Sequence, residues 1–161
     1  MVAYRVAGQV RDNGQMTTTN LQRFLDPIAE DAPAGVDLEY ETMFQEMERA
    51  AEGKPERQVG DLVMPAEDPD WSQLQAKAEQ VLSVSRDLRA AVFYTKARMH
   101  LGEYAGLSDG LTLIRGFIEN YWETVHPQLD PEDNRDPTAR INTLINLCDS
   151  TEFLSVINRI P

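Results

Sequence analysis

Residues 87–101 read Asp-Leu-Arg-Ala-Ala-Val-Phe-Tyr-Thr-Lys-Ala-Arg-Met-His-Leu. Asp87 restarts the chain directly before an apolar-periodic run. Leu88, Ala91, Val92 and Met99 line one side of the helix it would start, and Phe93, Ala97 and Leu101 line another. A helix that is apolar on two sides must be covered on both, so this one belongs at the centre of a helical domain. Gly102 closes it. A second run follows, with Leu107, Leu111, Ile114, Ile118 and Tyr121 at helical spacing, and predicts a longer helix from Tyr104 to Trp122. Gly106, Gly110 and Gly116 inside that run each cost about 1 kcal/mol relative to alanine. Some of them should therefore serve close backbone approach to a neighbour.

Working outward, the same periodicity predicts a helix capped by Asn20 with Leu21, Phe24, Leu25 and Ile28 on one face, shortened or kinked at Asp26-Pro27. A second runs from Leu38 to Ala51, aligning Tyr40, Met43, Phe44 and Met47 and turning Glu41, Gln45, Glu48 and Glu52 outward, with Gly53 at its end. Lys54 to Asp70 holds three prolines and one glycine, so it reads as an extended loop anchored by Val59, Leu62, Val63 and Met64. Asp68 then caps, and Pro69 opens, a helix reaching about Ser85 with Trp71, Leu74, Ala78, Val81 and Leu82 buried. Downstream, Tyr121 and Trp122 are expected to pack inward, and His126-Pro127 to end their helix, the imidazole meeting unpaired carbonyls. Asp136-Pro137 starts the next helix, which would bury Ile141, Leu144, Ile145 and Cys148. A last segment carries Phe153, Leu154, Ile157 and Ile160. The fold class is therefore all-α: a single domain of about six to eight packed, mostly antiparallel helices with long irregular loops. Residues 1–19 are expected to be a disordered or appended tail, the alternation of Val2, Tyr4 and Val6 being too brief to fix a strand. Residues 20–161 are the domain, an excerpt of a longer protein.

Composition narrows the function. The 161 residues include 15 Lys and Arg against 27 Asp and Glu, a net charge of −12. That balance disfavours a phosphate backbone or an anionic membrane and favours a basic or neutral protein surface. A domain of this length removes roughly 70% of its unfolded surface from water without a covalent staple. The one cysteine permits no internal disulfide and no zinc framework, which fits a reducing cytoplasm. No apolar run approaches the ~20 residues of a membrane span.

Patterns that carry chemistry fail on context. Gly106-Leu107-Ser108-Asp109-Gly110 fits the Gly-x-Ser-x-Gly elbow of hydrolases, but the elbow needs a strand leading into it, and the preceding segment is helical. Asp130, Glu132 and Asn134 alternate as in a calcium loop, yet Arg135 and Ile141 stand where that loop needs glycine and glutamate. His100 and His126 have no second ligand at metal spacing. No cofactor, metal or catalytic residue is expected.

Six stretches, in order, resemble the amino-terminal domain of the TssA (ImpA) family of bacterial type VI secretion proteins. They are Leu25-Asp26-Pro27-Ile28 with Asp31 to Leu38; Lys54-Pro55-Glu56-Arg57-Gln58-Val59-Gly60-Asp61; Pro65 to Trp71; Ser85-Arg86-Asp87-Leu88-Arg89; Tyr121 to Pro127; and onward through Asp136-Pro137-Thr138-Ala139-Arg140. The resemblance implies a non-enzymatic helical module of a larger cytoplasmic bacterial protein that acts in assembly of a phage-tail-like machine, contacting baseplate, tube or sheath proteins. It implies rings formed through a separate carboxy-terminal region absent here, with this domain monomeric, no nucleic acid and no membrane insertion. Trp71, Arg86, Asp87, Tyr121, Trp122, His126, Pro127, Asp136 and Pro137 are its structural signature. The polar loops suit docking, and Arg57, Asp61, Glu67, Glu132 and Asp133 are the candidate partner-binding residues. The rivals are a serine hydrolase acting through Ser108 and an acidic decoy, a mimic of DNA, for a basic partner.

Overall fold

The computed structural model describes residues 18–60, 62–149 and 153–158. Helices α1 (Thr18–Leu25), α2 (Thr42–Ala51), α3 (Trp71–Leu82), α4 (Leu88–Tyr121), α5 (Thr138–Ile145) and α6 (Leu154–Ile157) form an all-α body, and a small hairpin, β1 (Arg57–Val59) and β2 (Leu62–Met64), stands between α2 and α3. The tail before Thr18, Asp61 and Ile160 lie outside the described residues.

The centre is α4, and it is a hairpin of two arms. Asp87 caps it, its carboxylate accepting the N–H groups of Arg89 (2.7 Å) and Ala90 (3.4 Å). The chain breaks at Glu103, with φ 50 and ψ −136, and turns back on itself. In a straight helix Thr95 and Gly110 would lie about 22 Å apart. Here a Cβ on Gly110 would come within 2.7 Å of Thr95 Cα, and one on Gly106 would run into the carbonyl of Arg98. Arg98 and Asp109 close the same seam with a 2.8 Å ion pair. The third glycine, Gly116, faces the side chain of Leu25 in α1, so close backbone approach is made at Gly106 and Gly110 and not at Gly116. Between the arms and their neighbours Leu88, Ala91, Tyr94, Ala97, Leu113 and Phe117 are fully buried.

Helix α3 packs on α4, and α2 on α3. Leu74, Ala78, Val81 and Leu82 are buried as the periodicity requires, and so are Phe44 and Met47 of α2. Four expectations on this side are corrected. Helix α1 begins at Thr18, so Asn20 lies inside it rather than capping it. Helix α2 begins only at Thr42, because Asp37 accepts the N–H of Glu39 and residues 38–41 form a turn; Tyr40 falls out of register and is 87% exposed. The cap of α3 is Asp70, bonded to the N–H of Gln73, not Asp68. The extended loop is a hairpin closed at Gly60 (φ +63), and Leu62, Val63 and Met64 are exposed instead of anchoring it.

On the other side, α4 ends at Tyr121, five residues before His126, so the histidine does not close it. His126 is buried and precedes a cis proline. Helix α5 starts at Thr138 with Pro137 at its cap and no side-chain cap bond, so Asp136 does not cap it either; Asp136 pairs its backbone with Asp130. Ile141 (50%) and Ile145 (57%) are exposed, as is Cys148, while Arg140 is fully buried.

Two substitutions test the α4 hairpin. We expect Gly106→Ala to lower the unfolding free energy by about 3 kcal/mol, since the Arg98 carbonyl cannot move aside. Glu103→Gly should raise it by about 1 kcal/mol, because glycine alone tolerates that backbone and the relief of strain exceeds its entropy cost. Urea unfolding followed by helical circular dichroism measures both.

Candidate interaction surfaces

The signature residues of the sequence assemble into a buried polar framework. Three extended segments lie side by side at the start of α4: Arg86 N–H donates to Ala34 O (2.7 Å), His126 N–H to Arg86 O (3.0 Å) and Leu88 N–H to His126 O (2.8 Å). The Arg86 side chain reaches from this junction to the C-terminal carbonyls of two helices. It donates to Asp26 O (2.7 Å) and Arg23 O (3.2 Å) at the end of α1, and to Leu82 O at the end of α3. Tyr121 Oη takes the neighbouring Leu25 carbonyl at 2.6 Å. Helix C-termini leave carbonyls unpaired and carry partial negative charge, so a cation there is doubly favourable.

Arg140 repeats the device beside this junction, on the carbonyls that flank His126. Its guanidinium donates to Val125 O (2.6 Å), Pro127 O (2.8 Å) and Trp122 O, and lies 4.9 Å from the centre of the Trp122 ring. Trp122 is thereby held at the surface, 38% exposed, instead of packing inward with Tyr121. Burial pulls the pKa of both guanidinium groups below the ordinary arginine range, and Tyr121 partly opposes this at Arg86. Asp87 and Arg89 complete the framework: Arg89 pairs with Asp87 (2.7 Å), Asp37 (3.0 Å) and Glu39 (2.9 Å). His126 sets Nε2 3.3 Å from Gly35 O and Nδ1 3.6 Å from the Asp37 carboxylate.

None of this is arranged for catalysis by Ser108. That serine lies within the second arm of α4, on a shallow open groove of about 360 Å³ with Tyr104, Leu107 and Leu111. The ring nitrogens of His126 are engaged at Gly35, Asp37 and Gln128 instead. The glycines of the apparent elbow are the packing glycines of the hairpin. Among the described residues no three His, Cys, Asp or Glu side chains are grouped to hold a metal ion. In the acidic loop Asp130 is turned inward on its own backbone, accepting the N–H groups of Glu132 (2.8 Å) and Asp133 (3.3 Å).

Two surfaces remain. The first is the hairpin with its base: Arg57 is exposed on β1, opposite Met64, and Glu67 forms an exposed 2.6 Å ion pair with Lys54 where the two chains entering the hairpin bridge. Beside it lies a groove of about 490 Å³ walled by Pro55, Pro69 and Trp71, the last stacked on His100 at 3.7 Å. Sequence reading missed this groove, because the His100 ring that completes it comes from another helix. The second surface is the acidic loop, where Glu132 and Asp133 are exposed and Arg135 pairs with Glu123. Asp61 is outside the described residues.

Comparison with known proteins agrees with this geometry. Residues 25–149 match the family model described as ImpA, N-terminal, type VI secretion system. The chain is 46% identical over 137 residues to the type VI secretion system component TssA1 of Pseudomonas aeruginosa, covering 85% of this chain and 40% of that protein. A solved structure, the N-terminal domain including the conserved ImpA_N region of the TssA component of the type VI secretion system from Burkholderia cenocepacia, superimposes with a TM-score of 0.71 at 26% identity. That match covers 96% of this chain and 55% of the other. The chain thus spans less than two thirds of either relative.

The framework predicts an inversion of the usual expectation for α5. Arg140→Leu should lower stability by about 3 kcal/mol, since it strands three carbonyls in the interior. Ile141→Ser, one residue on, should change it by no more than about 0.5 kcal/mol. Thermal and urea unfolding of the two variants checks the contrast.

Proposed function

This chain belongs to the ImpA amino-terminal family of type VI secretion components, and we propose that it is the docking module of such a component, working without catalysis during assembly of the secretion machine. Its partners on this reading are baseplate, tube or sheath proteins, met in the bacterial cytoplasm. The observation that carries the reading is the contrast between interior and surface. The buried polar groups Arg86, Asp87 and Arg140 are committed to backbone and helix ends, whereas the hairpin and the acidic loop present exposed side chains. No helix among the described residues is long and apolar enough to cross a membrane, and the net charge of −12 favours a basic or neutral protein surface. Residues 20–161 act as the module, together with Thr18 and Thr19, which open α1. Ring formation falls to a carboxy-terminal region of the parent, leaving this domain monomeric.

Retention of separately expressed baseplate, tube and sheath proteins on the immobilised domain tests the proposal. We expect at least one to be retained, and the triple variant Arg57→Glu, Glu132→Arg, Asp133→Arg to weaken it by about tenfold. Full retention by the triple variant places the surface elsewhere, and retention of none by the native domain refutes the function. Sizing of the isolated domain should return a monomer.

A further inference from the structure

The hairpin has two free edges, and they are not alike. Among the described residues, strands β1 and β2 pair only with each other, in the register Arg57↔Met64, Gln58↔Val63 and Val59↔Leu62, so each keeps an outer edge with no ladder partner among them. Exposed edges invite pairing with another chain, and proteins blunt them with charge and proline. The β1 side is blunted in this way, reading Lys54-Pro55-Glu56-Arg57. The β2 side also carries a proline, Pro65, but reads Leu62-Val63-Met64-Pro65-Ala66, with no charge between Asp61 and Glu67. In a hairpin closed by two residues the pair flanking the turn exchanges both hydrogen bonds, and the next pair turns its N–H and C=O outward. That pair is Gln58 and Val63, so the β2 edge presents the Val63 backbone.

Its side chains are equally uncovered. Leu62 and Met64 project to one face and Val63 to the other, and all three are exposed. A two-stranded hairpin is marginal alone in water, and a third strand both satisfies the edge and covers the apolar faces. The carboxylates of Glu67, which also pairs with Lys54 at 2.6 Å, and of Asp68, both exposed, stand where β2 leads back to α3, in a domain of net charge −12.

We propose that the outer edge of β2 captures an extended segment of the partner protein, adding it as a third strand through the Val63 backbone, and that this segment is apolar with lysine or arginine at the end that meets Glu67 and Asp68. The assignment rests on the docking function proposed above and names its mode of recognition. Main-chain pairing supplies affinity there, while the flanking charge supplies direction.

The edge is tested with whichever separately expressed baseplate, tube or sheath protein the native domain retains. Val63→Pro removes the outward N–H, a change that edge strands accommodate; Val63→Thr keeps the N–H and alters only the side chain. We expect Val63→Pro to weaken binding by about tenfold or more and Val63→Thr by less than about threefold. Glu67→Lys with Asp68→Lys should weaken it by about threefold or more and flatten its salt dependence. Unchanged helical circular dichroism and melting temperature show that the body is intact. Equal losses for proline and threonine make the contact one of side chains and overturn strand addition. Native binding by both removes the hairpin from the interface while leaving the docking function standing. Retention of nothing by the native domain refutes the function and the edge together. A native dimer that Val63→Pro dissolves assigns the edge to a second copy and overturns the partner strand.

Discussion

Two buried arginines hold the ends of the helices. Arg86 gathers the last carbonyls of α1 and α3, and Arg140 those that follow α4. Each therefore ties a helix C-terminus to the start of another element, which apolar packing does not do with comparable precision, because the hydrophobic effect has no direction. Placing a guanidinium in the interior costs desolvation, and here the return is five donors in a fixed fork meeting acceptors that would otherwise be unpaired. Remove either cation and several helix ends lose their partner at once. The family signature is, on this view, mainly a record of the framework: Arg86, Asp87, Tyr121 and His126 share one junction.

The α4 hairpin gives that framework something rigid to act on. Its arms meet backbone to backbone at Gly106 and Gly110, so their spacing is set by main-chain contact. The two ends of the hairpin then lie together, and the junction of Arg86, Leu88 and His126 forms where they meet. Helices α3 and α2 stack outward on this pair and carry the β-hairpin between them, away from the core.

Much of this was legible in the chain. Helix faces could be read because they depend on residues within a turn or two, and the glycines stood out because their cost inside a helix is local. The failures share a different cause. Arg140 reads as a surface residue and Ile141 and Ile145 as core, because the carbonyls that draw Arg140 inward belong to residues 122–127 and are invisible to periodicity. Tyr40 was misplaced because the carboxylate of Asp37 fixes a turn before α2 while also pairing with Arg89, 52 positions away. The hairpin was hidden by its prolines, which mark a loop correctly yet sit outside the paired residues. Of the candidate surfaces, the charged residues were found from the polarity of their loops, and the exposure of Leu62, Val63 and Met64 was not, since apolar residues in a loop read as anchors.

The arginine pins have a bearing on how the domain behaves in different media. Their acceptors are neutral amide oxygens within the protein, so the contacts are shielded from mobile ions by position and contain no carboxylate that acid could neutralise. The charges on the outer loops have neither protection. Ionic strength can therefore adjust how firmly the domain holds a partner while these two pins stay as they are.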